Sequence, residues 1–162
     1  MLRVVWAALM MAAVAATGRA AAEIVVARDG SGDFTTVQAA VNSLPVDGGS
    51  IGIRPGRYEE KVTIAGAHVH LRGLGAGPSE VVISFNLSHG TAGGTWQSAS
   101  VTVTGDDFSA ENLTFENSFS RNRPLREGSQ AVALRVTGTA PSSARCGFSA
   151  IRTPCMPPAR DA

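Results

Sequence analysis

The residue whose setting best suits chemistry is Gln130, which lies where a short turn feeds an apolar strand. The stretch Gly128-Ser-Gln-Ala-Val-Ala-Leu-Arg-Val136 alternates small or polar residues with Val132, Leu134 and Val136, as strands with one buried face do. An amide at such a junction can offer hydrogen-bond donors to a ligand, but a surface amide that caps a turn has the same pattern. The residue type alone leaves both interpretations open.

A second candidate is Ser50, since Gly48-Gly-Ser-Ile-Gly52 matches the G-x-S-x-G nucleophile elbow of serine esterases. That elbow must follow a strand and open a helix, whereas Ser50 begins a strand and Pro55 prevents a helix after it. We therefore do not expect a serine nucleophile. His68 and His70 lie two apart on a predicted strand and would share a face, but no Cys, Asp or Glu cluster completes a metal site.

Short strands must position these residues, because no segment after Asn42 sustains the 3.6-residue period of a helix. Seven segments between turn residues have strand patterns: 23–27, 50–54, 61–64, 68–72, 81–84, 99–104 and 113–115. One helix is predicted over Thr35 to Asn42, where Thr35 or Thr36 can cap the start and Pro45 stops continuation.

A repeated block indicates how these strands are arranged. Val103-Thr-Gly105 is followed eight residues later by Leu113-Thr-Phe115, and Val136-Thr-Gly138 is followed at the same distance by Cys146-Gly-Phe148. Two blocks offset by 33 residues are typical of stacked coils, each of which needs neighbours to cover its inner face. We predict an all-β fold, a right-handed parallel β-helix, with the single N-terminal helix as a cap on its open end.

The first 22 residues have the pattern of a secretory signal peptide. Arg3 supplies the positive n-region, an apolar run extends from Val4 to Ala16, and Ala20-Ala-Ala22 offers small residues for cleavage. Because the run is short and Ala-rich, a membrane anchor is not predicted. Without Arg3 and Arg19 the chain has 12 basic and 13 acidic residues, which argues against nucleic acid and membrane surfaces as partners.

Two cysteines and two sequons complete the features of a secreted chain. Secretion permits a disulfide between Cys146 and Cys155, although a buried free thiol is the plainer interpretation of Cys146. The glycosylation sequons are Asn86-Leu-Ser88 and Asn112-Leu-Thr114. The first lies among turn residues and is a candidate for use. The second lies inside a strand pattern, so Asn112 could instead be an inward structural amide.

Five motifs lie between Val25 and about Val136, and a further matching patch lies at 145–148. The motifs follow one another in the order in which they occur in one known protein family. They are Ala27-Arg-Asp-Gly-Ser-Gly-Asp-Phe-Thr-Thr-Val-Gln38, Pro55-Gly-Arg-Tyr-Glu-Glu-Lys-Val62, Ser98-Ala-Ser-Val-Thr-Val103, Phe108 to Asn117, and Gln130-Ala-Val-Ala-Leu-Arg135. Together they resemble plant pectinesterases (pectin methylesterases). The resemblance implies a right-handed parallel β-helix. It also implies hydrolysis of the methyl esters of cell-wall homogalacturonan (pectin) without metal or cofactor. We expect the secreted chain, if folded, to be a monomer.

The resemblance also assigns roles to two residues. Members of the family use an Asp nucleophile, a second Asp as acid and base, and a pair of Gln that stabilises the oxyanion. Gln130 matches the first Gln of that pair, and Thr95 matches a substrate-contacting Thr. These are the functional positions that the chain retains.

The resemblance breaks after Phe148, where the family has Leu-Gly-Tyr-Gln-Asp-Thr-Leu-Tyr-Ala with the second Gln and the acid/base Asp. The chain reads Ser149-Ala-Ile-Arg-Thr-Pro-Cys-Met-Pro157 instead. One choice of codons for Gly-Tyr-Gln-Asp-Thr-Leu-Tyr-Ala encodes this stretch when its bases are grouped in another frame. A base lost near Phe148, in the gene or in its reading, would explain the change. We therefore divide the chain into a signal peptide (1–22), a partial β-helix domain (23–148) and an out-of-family tail (149–162).

The altered tail lowers the esterase activity that we expect from this chain. No Asp or Glu lies between Ser129 and Arg160 to replace the missing carboxylates, so we expect negligible esterase activity from the chain as printed. We also expect poor solubility, because nothing would cover the last coil of a shortened solenoid. The alternative function is that of a non-catalytic secreted β-helix, which binds pectin or a partner without hydrolysing it.

Overall fold

The computed structural model describes residues 23–119 and 129–139, which form mainly short parallel strands. The strands are β1 Ile24–Val26, β2 Gly49–Ile53, β3 Gly56–Glu59, β4 Val62–Ile64, β5 Val69–Gly73, β6 Val81–Phe85, β7 Val101–Val103, β8 Ser109–Glu111, β9 Thr114–Asn117 and β10 Leu134–Val136. The helices are α1 Val37–Ser43 and α2 His89–Ala92, with a 3₁₀ turn at Trp96–Ser98. No helix in these residues is long and apolar enough to cross a membrane.

Successive strands join three different sheets in rotation, which is the pattern of a solenoid. The first sheet has the order β1-β2-β5-β8, the second β3-β6-β9 and the third β4-β7-β10. Every strand pairing in them is parallel. Each group of three strands, β2 to β4, β5 to β7 and β8 to β10, therefore forms one coil. The predicted parallel β-helix is confirmed.

The core lies inside the coils, because every second side chain of a strand points to the same face. In the second sheet Tyr58, Ile83 and Phe115 occupy matched positions of three successive coils, and all three are buried. Burial of apolar side chains of this size stabilises the fold by roughly 1.5–3 kcal/mol each. Each coil thus depends on its neighbours to cover its apolar residues.

The 33-residue repeat appears in the structure as strand pairing. β7 and β10 align so that Val103 lies opposite Val136. Beyond these strands Gly66, Gly105 and Gly138 stack so closely that a Cβ on Gly105 would clash with the carbonyl oxygen of Gly66, and one on Gly138 with that of Gly105. Glycine is therefore what allows the coils to approach at this corner. The second half of the repeat, at 146–148, lies outside the described residues.

Helix α1 forms because a threonine caps it and an apolar face can be buried. The Thr36 hydroxyl accepts a hydrogen bond from the Ala39 N–H at 3.3 Å, and Val37 and Ala40 enter the core. The carboxylate of Glu60 accepts from the first helical N–H groups, those of Val37 at 2.8 Å and Gln38 at 2.9 Å. A negative charge at this position also complements the helix dipole.

The same helix protects a sheet edge, as the prediction of a capping helix requires. β4 lies at the edge of the third sheet. The side-chain amide of Gln38 accepts from the Thr63 N–H at 2.7 Å and donates to the Thr63 carbonyl at 3.2 Å. One side chain thus makes both hydrogen bonds that a neighbouring strand would make, which closes part of an exposed edge.

Several elements differ from the sequence-based expectations. β3 and β8 were not predicted, because three- and four-residue strands with polar outward residues carry little periodic signal. The Gly- and Thr-rich loop contains α2 and the 3₁₀ turn, so α1 is not the single helix. His68 has a φ of 55° and precedes β5, so it does not share a strand face with His70.

Other sequence predictions fall on parts of the chain that the structure does not describe. These are the signal peptide at 1–22, the tail at 149–162, and the pairing of Cys146 with Cys155. They stay predictions.

Candidate functional site

Thr95 and Gln130 lie on consecutive coils at the same corner of the solenoid. Thr95 belongs to the connection from β6 to β7, and Gln130 to the connection from β9 to β10, so both connections lead from the second sheet to the third. Because parallel coils stack in register, connections at equivalent places also stack. The fold thus brings together two residues that are 35 positions apart in the sequence.

His89, the first residue of α2, joins the two connections. Its backbone N–H donates to the carbonyl oxygen of Gln130 at 2.7 Å, and its Nδ1 lies 2.9 Å from the Thr95 hydroxyl. The side chain of Gln130 is exposed, and its amide makes no hydrogen bond with the described residues. The backbone of Gln130 is therefore fixed while its amide is available to a ligand.

The position of His89 depends on a tight local helix. The Ser88 hydroxyl accepts from the Thr91 N–H, and the Thr91 hydroxyl accepts from the Ser88 N–H at 2.9 Å, which is a capping box. Gly93 ends the helix in the left-handed conformation, with a φ of 79°. Ser, Thr and Gly at these spacings explain why a four-residue helix is formed in a loop without apolar periodicity.

Two buried side chains tie the loops behind this helix. The Asn117 Nδ2 lies within hydrogen-bond distance of three carbonyl oxygens, which share its two hydrogens: Leu87 at 2.9 Å, Ser98 at 2.8 Å and Val132 at 3.0 Å. The Ser98 hydroxyl donates to the Thr95 carbonyl at 2.6 Å and accepts from the Val132 N–H at 3.2 Å.

Asn117 and Ser98 therefore hold the segments on which Thr95, His89 and Gln130 lie. Sequence reasoning missed both residues and His89. The available signal was weak: a polar residue at the last, inward position of β9, and a serine three positions after Thr95.

An exposed aromatic face lies next to Thr95. Trp96 is 49% exposed, which is unusual for a large apolar side chain. The guanidinium carbon of Arg135, on β10 of the next coil, lies 6.0 Å from the centre of the Trp96 ring, at the outer limit of a cation–π contact. The site thus offers a flat apolar surface, a hydroxyl and an amide, a combination suited to an oxygen-rich ligand with apolar ring faces.

A shallow depression of about 270 Å³ lies near these loops, on the outer face of the second sheet. It is lined by Glu59, Ser84, Phe85, Asn86 and Ser118. Beside it, Arg57 donates to the Ser84 hydroxyl at 2.8 Å and to the Glu116 carboxylate at 2.9 Å. Such charge-assisted bonds fix the arginine on the sheet.

The other sequence candidates do not join this site. Ser50 lies within β2 and pairs with His70 on β5, so it is not at an elbow between a strand and a helix. His70 contacts Ser109 at 2.7 Å and Glu111 at 3.4 Å, and His68 contacts Asp107 at 3.1 Å. Within 23–119 and 129–139, no group of three or more His, Cys, Asp or Glu could hold a metal ion.

The comparisons with known proteins match this chain to one family. The family model for Pectinesterase matches residues 23–153. Probable pectinesterase/pectinesterase inhibitor 23 of Arabidopsis thaliana is 38% identical over 133 residues, which are 80% of this chain and 22% of that relative. The pectin methylesterase from carrot is 34% identical with a TM-score of 0.60, over 71% of this chain and 35% of that one.

A further solved structure is that of a pectin methylesterase in complex with a hexasaccharide. It is 31% identical with a TM-score of 0.62, and the match covers 71% of this chain and 39% of that one. The chain thus spans about a fifth of the curated relative and little more than a third of the solved structures it matches.

Proposed function

Because this chain belongs to the pectinesterase family, we propose that the protein hydrolyses the methyl esters of homogalacturonan, the pectin of cell walls. The observation that supports this most is the joining of Thr95 and Gln130 by His89 at one corner of the solenoid. Both residues were assigned roles by sequence resemblance alone. Coil stacking places their connections side by side, and His89 then contacts both residues directly.

Gln130 has the features of an oxyanion-stabilising group. Hydrolysis of an ester passes through a tetrahedral intermediate whose oxygen is negatively charged, and donors fixed in advance stabilise that charge. The hydrogen bond from the His89 N–H fixes the backbone of Gln130, while the exposed side-chain amide can donate to the substrate. In this proposal the Thr95 hydroxyl contacts the sugar chain next to the scissile ester.

The reaction also needs two carboxylates, one as nucleophile and one as acid and base. The family places them after the position of Phe148, and residues 131–160 of this chain contain no Asp or Glu. The site formed by Thr95, His89 and Gln130 therefore supplies binding and electrostatic stabilisation. The covalent steps depend on coils that follow it in the family.

A chimera tests this proposal. Residues 23–136 would be joined, in register, to the remaining coils of the carrot pectin methylesterase, and methanol release from methylated pectin would be measured. We expect activity, and we expect Gln130→Ala to lower kcat by about 10²–10³-fold with little change in KM, as for removal of an oxyanion donor. The matched control is Gln97→Ala, which removes an exposed amide from the neighbouring loop. Unchanged kcat in Gln130→Ala would refute the assigned role.

The second candidate function is binding of pectin without hydrolysis, which the absence of Asp and Glu from 131–160 favours for the chain as printed. Sedimentation with insoluble methylated pectin, together with a methanol assay, separates the two functions. Binding that is lost in Thr95→Ala and is not accompanied by methanol would support it. Release of methanol would exclude it.

We further propose that the protein acts as a monomer outside the cell, in the cell wall, after removal of residues 1–22. The proposed chemistry uses amide, hydroxyl and carboxylate groups alone, so neither metal nor cofactor is required for it.

A further inference from the structure

The two sequons of this chain lie in opposite environments. Asn112 lies at the bend between β8 and β9 with a φ of 52°, a left-handed conformation that asparagine tolerates better than most residues. Its Nδ2 donates to the carbonyl oxygens of Gly73 at 2.9 Å and Gly75 at 2.8 Å. Both amide hydrogens of Asn112 are thus used to hold the preceding coil.

A glycan on Asn112 is incompatible with these contacts. Attachment of a sugar to Nδ2 removes one of its two hydrogens, so one carbonyl loses its donor. The sugar ring would also have to occupy the space of the Gly73 and Gly75 backbone. The folded chain therefore has no room for modification at Asn112, which here has the structural role that the sequence left open.

Asn86 differs in each of these respects. It follows directly after β6, its side chain is exposed, and it makes no hydrogen bond with the described residues. It lies at the rim of the depression on the second sheet, beside Ser118 and Glu59. Space for a bulky polar group is available on its solvent side.

The hydroxyl that the first sequon requires has a second use after folding. Ser88 is 2% exposed, and its hydroxyl caps α2. Glycan transfer takes place on an extended chain, where this hydroxyl is accessible, and capping follows when the coil forms. One serine can therefore serve both modification and the positioning of His89.

We propose that Asn86 is the N-glycosylation site of the folded protein and that Asn112 is not modified in it. The donor is an oligosaccharide linked to a lipid diphosphate. A bond forms between the Asn86 Nδ2 and the anomeric carbon of the first sugar, and the bond from that carbon to the lipid diphosphate breaks. The lipid diphosphate leaves with the electron pair, and the amide nitrogen loses one proton. The glycan then extends from the loop that leads to Thr95.

The test is production of residues 23–162 behind a heterologous secretion signal in a eukaryotic cell, so that the result does not depend on residues 1–22 or on esterase activity. Glycopeptide mass spectrometry of the soluble chain is expected to find sugar on Asn86 and none on Asn112. Asn86→Gln should abolish the mobility shift that an endoglycosidase produces. Ser88→Thr is the matched control that keeps the shift, because threonine serves both the sequon and the cap.

Two results would overturn the proposal: sugar on Asn112 in the soluble, folded chain, or unmodified Asn86 in that chain. If little soluble chain is recovered, the same peptides are quantified in the whole lysate. Unmodified Asn86 there would also refute the proposal. Asn112 glycan confined to the insoluble fraction would support it, because a chain that carries this glycan cannot form the contacts of Asn112 with Gly73 and Gly75.

Discussion

Asn117 shows how a single buried side chain can decide the geometry of a site that it does not line. It is 8% exposed, and its amide nitrogen contacts carbonyl groups from three separate segments of the chain. A buried carbonyl that loses its donor costs about 1–3 kcal/mol. The loops of Thr95 and Gln130 are thus held by an interaction that is expensive to break.

Asn117→Asp should destabilise the fold by at least about 2 kcal/mol, because a carboxylate has the same shape but cannot donate to the three carbonyls. Urea unfolding of unglycosylated protein would measure the change. The matched control is Asn86→Asp, the same chemical change at an exposed site, which should stay within about 0.5 kcal/mol. Equal effects of the two substitutions would contradict the structural role of Asn117.

Asp106 provides a pH-dependent contact at the level of single residues. Its carboxylate accepts hydrogen bonds from the Thr139 hydroxyl at 2.6 Å and from the Thr139 N–H at 2.7 Å. These bonds lower the pKa of Asp106 below its usual value of 3.8. Because the pKa is lower in the folded chain than in the unfolded chain, the ionised Asp106 stabilises the fold at pH values above the unfolded pKa of 3.8. This stability decreases as the pH falls below about 3.8 and is lost once the pH has passed through the folded-state pKa.

Thr139→Val should raise the pKa of Asp106 toward 3.8, because the hydroxyl bond is lost while the backbone bond remains. Carboxyl carbon chemical shifts followed by NMR during an acid titration would measure it. Asp29 is the internal reference, since hydrogen bonds from Ser31 lower its pKa and do not involve Thr139. A Thr139→Val titration curve that overlays the unmodified one would argue against this contact in solution.

At the scale of elements, the strands are too short to be stable alone, and their stacking depends on close backbone approach. Gly66, Gly105 and Gly138 supply that approach at one corner, next to the third sheet. At another corner, Gln38 and Glu60 attach α1 to the first full coil. Each coil is thus fixed by a few contacts at its corners as well as by its apolar interior.

Gly105→Ala should destabilise the stack by roughly 1–3 kcal/mol or more, since the added methyl group meets the rigid backbone of Gly66. Thermal and urea unfolding would measure the loss. Gly77→Ala is the control, because its Cβ meets nothing within 4 Å, and it should be neutral or slightly stabilising. A Gly105→Ala protein as stable as the Gly77→Ala protein would show that the coils are not packed as described.

At the scale of the molecule, the amide of Gln130 is followed by thirty residues, 131–160, that contain no Asp or Glu. Electrostatic stabilisation by one amide does not replace a nucleophile, so removal of the covalent route costs far more than loss of a single donor. The chain as printed and the chimera with the carrot coils would therefore differ in chemistry although they share Thr95 and Gln130.

We expect methanol release by the chain as printed to be indistinguishable from that of buffer, under conditions where the carrot pectin methylesterase is readily measured. Nucleotide sequencing across codons 136 to 162 is the companion observation, because an in-frame reading of GYQDTLYA would restore the second Gln and the acid/base Asp. Methanol release by the printed chain at a rate similar to that of the carrot protein would overturn the expectation.

The sequence by itself determined the architecture and the family. The 33-residue repeat, the short β-branched strands and the caps of α1 are local or periodic signals, and each reflects a steric or hydrogen-bonding preference of the residues themselves. The match of Gln130 and Thr95 to family positions also came from the sequence. Weak elements such as β3, β8 and α2 were missed, because their few residues carry little periodic information.

The tertiary structure decided which residues meet. His89, Ser98 and Asn117 act through contacts that reach up to 41 positions along the chain. No spacing rule connects an asparagine at the end of one strand with carbonyl groups of three loops. The two sequons look alike as sequences, yet Asn112 is engaged by the preceding coil and Asn86 faces solvent. The physical reason is the stacking of coils, which places residues from different turns of the chain side by side.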